Sequence, residues 1–230
     1  VQYLGGKTRL AGPISKILLE RLNGRLFVEP FRGALNITAA MEPAGRRIAS
    51  DINPYLFTLY KSLRAGWEPP KHVTEDDYRR VRAVNDERDP LIAFVGYGCS
   101  FGGKWWGGYA RPNKTNRNYC DTARRGILKK LRRCQGVAFA SCAFTDLDID
   151  SRCLVYCDPP YAGTTEYSAA RGFDSDEFWG CVRSWSQAGA IVLVSEYAAP
   201  PDFESIWTAP VHGGQLAKSS NREHLFQRKN

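Results

Sequence analysis

Asp158-Pro159-Pro160-Tyr161 closes the apolar run Leu154-Val155-Tyr156-Cys157. Two consecutive prolines fix their own φ and remove two backbone donors, so the turn is rigid and its carbonyls are free to accept. The Asp158 carboxylate and the Pro159 carbonyl can then converge on one group that carries two N–H bonds. An exocyclic amine on an aromatic base is such a group. Its lone pair is delocalised into the ring, which makes it a poor nucleophile. Two acceptors pulling on its hydrogens favour a pyramidal nitrogen, whose lone pair can attack a methyl sulfonium in line. Tyr161 offers a ring on which the base can stack, a contact of about 1–3 kcal/mol. The bland alternative is a proline-rich turn with a capping Asp.

A second group of residues lies upstream. Glu29, Pro30, Phe31 and Gly33 end one apolar stretch, and Asp51 ends the next, 18 residues beyond Gly33. Ligands of open α/β sheets bind beyond the carboxyl ends of the strands. A carboxylate at the second strand end can accept from both hydroxyls of a ribose. Gly33 lets the backbone approach a ligand where a Cβ would collide. The pattern is not GxGxxG, so it suits an adenosyl cofactor without a pyrophosphate. An Asp at a strand end is also a common turn or cap residue.

These groups need strands to carry them. Ile14, Ile17, Leu18 and Leu22 recur at helical spacing, and Asn23-Gly24 is a stop signal, which predicts a helix over residues 8–22. A strand over 25–29, a helix over 34–41, a strand over 47–50 and a helix over 54–65 follow, the last with Leu56, Leu59, Tyr60 and Leu63 on one side. This alternation is the start of a parallel α/β sheet. Residues 74–135 then show helical periodicity around the Gly- and Trp-rich stretch 102–108. Strands resume at 137–141 and 153–157, with a helix over 175–188 and a strand over 190–195. The chain therefore reads as one α/β domain, residues 1–68 and 136–230, interrupted by a mostly helical insert over 69–135.

The chain has 230 residues, enough for one sizeable core, and no apolar run nears the roughly 18 residues that span a bilayer. No basic-then-apolar leader opens it, so the expectation is a cytoplasmic protein. The seven Cys form no CxxC pair and only three His are present, which argues for reduced thiols and against a structural metal site. The net charge is +8, and ten Lys and Arg against one Asp between Phe101 and Gln135 give that segment +9, leaving about −1 for the rest. A block of that density points to a polyanion, nucleic acid being the commonest, or to a solvated basic helix face.

Four motifs in order now carry a resemblance. They are Tyr3-Leu4-Gly5-Gly6-Lys7, Phe27-Val28-Glu29-Pro30-Phe31-Arg32-Gly33, Ser50-Asp51-Ile52-Asn53 and Asp158-Pro159-Pro160-Tyr161. The chain resembles the Dam-type family of DNA N6-adenine methyltransferases, in the α arrangement of motifs. The resemblance implies a Rossmann-like fold that binds S-adenosyl-L-methionine, with the insert as target-recognition module. It implies that Tyr3, Gly6 and Lys7 lie against the cofactor or the active-site acids. Glu29, Pro30, Phe31 and Gly33 would shape the methionine pocket, and Asp51 and Ile52 the ribose end. Phe144 matches the family at the adenine end, where Ala143 stands in place of the common Asp. Asp158, with Pro159 and Pro160, would hold the target amine and also border the cofactor, and Tyr161 would stack on the base. Arg32 is bulkier than the family's usual residue before Gly33.

A base inside a duplex cannot reach such a pocket and has to be flipped out. Lys104, Trp105, Arg111, Lys114, Arg117, Arg124, Arg125 and Lys129 are the candidate contacts to double-stranded DNA. Trp105 and Trp106 can equally anchor the insert, and the helix bearing Arg124 to Arg133 can equally be a solvated face. The implied reaction is direct in-line transfer, without metal or covalent intermediate, by a monomer or weak dimer that reaches the nucleoid through its DNA. Cytosine N4, RNA adenine and a decayed DNA-binding protein remain the competing readings. Asp in place of Asn before Pro-Pro-Tyr argues against glutamine and RNA substrates, and the lack of Pro-Cys argues against a C5-cytosine route.

Overall fold

The computed structural model describes residues 6–111, 117–161, 172–210 and 222–229. Five parallel strands form the centre of its sheet: β1 (Leu26–Glu29), β2 (Arg47–Ser50), β3 (Val137–Ala140), β4 (Cys153–Cys157) and β5 (Ile191–Glu196). Two more, β6 (Phe203–Pro210) and β7 (Arg222–Arg228), extend it antiparallel, in the spatial order β3-β2-β1-β4-β5-β7-β6. All five residues of β4 are buried, as expected of a strand covered on both faces. From β1 the chain winds outward to β2 and β3, and from β4 it winds the other way to β5. The crevice between the carboxyl ends of β1 and β4 is thus the switch point at which such sheets bind ligands.

The first helix, α1 (Ala11–Leu22), starts three residues later than its periodicity suggests. Gly6 to Leu10 form a turn instead, with the Lys7 carbonyl accepting from the amides of Leu10 and Ala11 at 3.0 and 2.7 Å. Asn23 ends the helix in the left-handed region at φ 37°. A single turn, α2 (Asn36–Ala40), follows β1, and α3 (Pro54–Arg64) follows β2. Asn53 caps α3, its side chain accepting from the amides of Tyr55 and Leu56, and Pro54 stands at the first helical position.

Between α3 and β3 lie α4 (Glu75–Val84), α5 (Pro90–Gly98) and α6 (Tyr119–Arg132). They do not stand apart from the sheet domain. Ala93, Phe94 and Val95 of α5 and Ala123 and Ile127 of α6 share one apolar cluster with Leu56, Leu59, Tyr60 and Leu63 of α3. Trp105 is wedged into that cluster, 4.8 Å from the Tyr55 ring and 4.5 Å from the Tyr97 ring, and Trp106 lies 5.0 Å from Tyr78. The opposite face of the sheet is covered by α7 (Ser175–Gln187) through Phe178, Trp179, Val182 and Trp185. Five of the seven Cys are buried as core filler. Among the described residues no helix is long and apolar enough to cross a membrane.

The β6–β7 hairpin is not foreshadowed by periodicity. Only Phe203 is fully buried in β6, and a bulge between Ser205 and Trp207 breaks its alternation. An edge strand with that pattern carries no clean period-2 signal.

Candidate active site

Asp158 stands one residue beyond β4, at the switch point. Its Oδ1 accepts from the Lys7 ammonium at 2.7 Å. Lys7 is held there by the turn that opens α1, is nearly buried, and lies 4.6 Å above the Tyr161 ring. A second carboxylate closes the group: Glu223 of β7, 3.5 Å from the Lys7 ammonium and an acceptor for the Tyr161 hydroxyl. Tyr161 meets Tyr197 edge to face at 4.7 Å. One buried cation thus serves two acids beneath an aromatic ring. Burial pushes the Asp158 carboxyl above its ordinary value, with the Lys7 charge opposing and the Glu223 charge adding to the rise. Burial alone would lower the Lys7 ammonium, but the charges of Asp158 and Glu223 outweigh it and hold Lys7 above its ordinary value.

The neighbouring strand ends form the other half of the crevice. Asp51 follows β2, and its two oxygens each take one backbone amide, Gly33 at 3.0 Å and Asn53 at 3.0 Å. Those bonds fix the carboxylate while leaving lone pairs on both oxygens. Gly33 sits at φ 41°, in the left-handed region that a side chain disfavours, and its carbonyl accepts from the Tyr60 hydroxyl at 2.7 Å. Ile52 is 64% exposed beside Asp51, a flat apolar surface at the mouth of the crevice. Phe31 and Phe144 pack at 5.6 Å and share a cluster with Phe173 and Phe178. Glu29 points inward rather than into the crevice: its Oε2 accepts from the amide of Thr38 at 2.8 Å and from the Thr38 hydroxyl. Burial pushes the Glu29 carboxyl up to about 8. Ala143 offers no polar side chain, and its amide is spent on Asp146 at 3.1 Å.

Two polar residues near the crevice escape a reading by motif. Arg32 is 1% exposed, sandwiched among Phe57, Tyr60 and Phe139, and donates to the carbonyls of Ala49 and Ala140. Its charge opposes the rise that burial imposes on Asp51. Glu223 comes from a strand 62 residues beyond Tyr161. Its only local mark is an acid among Arg222, His224 and Arg228, which carries no signal of a site. Tyr3 and Lys114 lie outside the described residues.

The basic residues divide into two sets. Arg124 is tied to the Pro69 carbonyl at 3.1 Å and to Glu68 at 2.9 Å, and Lys130 donates to the Ala34 carbonyl at 2.7 Å. Burial lowers the Lys130 ammonium to about 8. These two hold α6 against the domain. Lys104, Arg117 and Lys129 are exposed, Arg117 stacking over Tyr119, while Arg111 and Arg125 are exposed but paired with Glu75 and Asp121. Trp105 packs as an anchor.

Residues 3–88 match the model of D12 class N6 adenine-specific DNA methyltransferases. The retron Ec67 DNA adenine methylase of Escherichia coli is 26% identical over 201 residues, covering 77% of this chain and 68% of that protein. The DNA adenine methylase of Haemophilus influenzae is 27% identical over 208 residues, with the same 77% and 68% coverage. The chain is thus similar to D12 class adenine-specific DNA methyltransferases over residues 3–88 and to two DNA adenine methylases over about three quarters of its length. Asp158–Tyr161 lies outside the segment that matches the family model. Among solved structures, the rRNA methyltransferase aviRa of Streptomyces viridochromogenes superposes on this chain with a TM-score of 0.48 at 15% identity, covering 99% of this chain and 86% of that one. The chain's α/β architecture is read from its own strand order.

Proposed function

We propose that the chain methylates N6 of an adenine flipped out of double-stranded DNA, with S-adenosylmethionine as donor. The observation that carries this reading is the Asp158 carboxylate at the switch point, held by Lys7 and bordered by the Tyr161 ring. The residues present fit the cofactor. Asp51 retains acceptor capacity on both oxygens for the ribose hydroxyls, Gly33 opens the backbone, and Ile52 and Phe144 offer apolar surface to the adenine ring. Phe31, with Pro30 fixing the turn after β1, would border the methionine end; Gly6 brings the Lys7 turn close. Glu29 would shape that pocket indirectly, by capping α2.

When bound, the cofactor supplies an electrophilic methyl group on a sulfonium. The protein's part is to present the nucleophile. Asp158 and the Pro159 carbonyl would accept the two amine hydrogens, localising the lone pair on nitrogen. Pro160 keeps the turn rigid, and Tyr161 stacks on the base. The proton shed by the methylated amine leaves through Asp158 or to water. Lys104, Arg111, Arg117, Arg125 and Lys129 would meet phosphates, as an insert over 69–135 requires for target recognition. The test is to incubate unmethylated DNA with protein and methyl-labelled S-adenosylmethionine, digest it, and separate the nucleosides. Label in N6-methyldeoxyadenosine is expected; label in N4-methyldeoxycytidine, or no label in DNA and label in RNA offered in a parallel reaction, would replace the reading.

A further inference from the structure

Glu223 has no part in holding the amine, yet it is 3% exposed and spends its charge on the active site. A buried carboxylate is strongly disfavoured unless it is paired. Its partners are the Tyr161 hydroxyl and the Lys7 ammonium. Lys7 therefore stands between two acids, close to Asp158 at 2.7 Å and farther from Glu223 at 3.5 Å.

That asymmetry conflicts with the work asked of Asp158. A carboxylate engaged by an ammonium at 2.7 Å is a poorer acceptor for a neutral amine, because its charge is already largely neutralised by that partner. For Asp158 to pull on the target nitrogen, Lys7 has to loosen. It cannot leave the pocket without stranding a buried charge. A second acid within reach solves this. An ammonium carries three donors on a flexible stem, and a shift of less than about 1 Å exchanges its near and far partners.

We propose that Glu223 is a positioning residue, the alternate seat of the Lys7 ammonium, which takes up Lys7 as the target amine engages Asp158. No covalent bond is made or broken in the step, and the charge of the group is unchanged. The step places a function on the β6–β7 hairpin: it delivers an acid to the catalytic turn from the far side of β5. Through the Tyr161 hydroxyl the same carboxylate also sets the ring on which the base stacks. The inference rests on the reading of Asp158 as the holder of the amine.

The test uses the whole enzyme, with DNA bearing the target sequence that the wild type itself methylates. Glu223→Gln keeps the shape and an oxygen acceptor for Tyr161 but removes the charge, so Lys7 stays on Asp158. KM for DNA is expected to rise about ten- to hundredfold, the cost of one charged hydrogen bond, with kcat reduced less. A 2-aminopurine at the target position should lose most of its flipped-base fluorescence. Affinity for S-adenosylmethionine, read by calorimetry, and the melting temperature should stay near wild type. Glu223→Asp, which keeps the charge, should recover most of the fluorescence. The proposal is overturned if Glu223→Gln flips and methylates as the wild type does. It is also overturned if losses in both variants follow melting temperature or cofactor affinity with no selective effect on DNA. A wild-type protein that binds cofactor but methylates no adenine would remove the function reading and this inference with it.

Discussion

The chemistry proposed for the site depends on how few residues hold one carboxylate in its charged form. Burial raises Asp158, and Lys7 is the chief group opposing that rise. In the proposed role Asp158 accepts from the target amine only when unprotonated, so activity should fall as pH drops through its raised pKa. The acid limb of the rate profile is therefore expected above the ordinary Asp value of about 4. Lys7→Met removes the opposing charge and should move that limb to still higher pH, in kcat against pH. A limb that stays in place would mean that Lys7 does not set the ionisation of Asp158. At this scale the sequence is readable where chemistry and turn coincide. Asp158 is followed by two prolines, and Asp51 ends a strand, so each can be found by type and position. Glu223 and Arg32 cannot. One is joined to Tyr161 across 62 residues by a hairpin without a pattern, and the other is a cation among aromatic rings where periodicity predicts only packing.

Among the elements, the strands that position the site are legible because they are short, largely apolar runs bounded by turn residues. The strand expected at 47–50 is β2, and that at 153–157 is β4. The stretch around Trp105 is harder, since an aromatic beside glycines suits either a DNA contact or an anchor. Its packing favours an anchor: a Cβ on Gly96 would lie 2.5 Å from the Trp105 ring, which Tyr55 and Tyr97 prevent from yielding. Gly96→Ala is expected to destabilise the protein by about 1–3 kcal/mol, the cost of overpacking, seen as a lower urea midpoint. Cofactor affinity should be little changed. An unaltered midpoint would show that the tryptophan is not locked. The β6–β7 hairpin is illegible for the opposite reason, an edge strand half open to solvent and interrupted by a bulge.

Across the whole molecule the excess of positive charge is real but only partly free to act. The +9 segment contains Arg124 and Lys130, whose bonds to backbone carbonyls fasten α6 to the domain. Composition cannot separate such residues from exposed ones, because the separation is made by long-range packing. Neutralising Arg125, Lys129 and Arg132 together should weaken DNA binding and flatten its salt dependence, by about 0.9 in slope for each phosphate that is no longer neutralised. Neutralising Arg124 and Lys130 should instead lower the melting temperature. Equal salt slopes for the wild type and the first variant would make the exposed face of α6 a solvated surface and nothing more.

The account stands on Asp158, and the most direct test measures two quantities on one variant. Asp158→Ala should bind S-adenosylmethionine with nearly wild-type affinity by calorimetry while its transfer of labelled methyl groups to DNA is abolished. Transfer comparable to the wild type, or loss of cofactor binding in parallel with loss of transfer, would contradict the role given to this carboxylate.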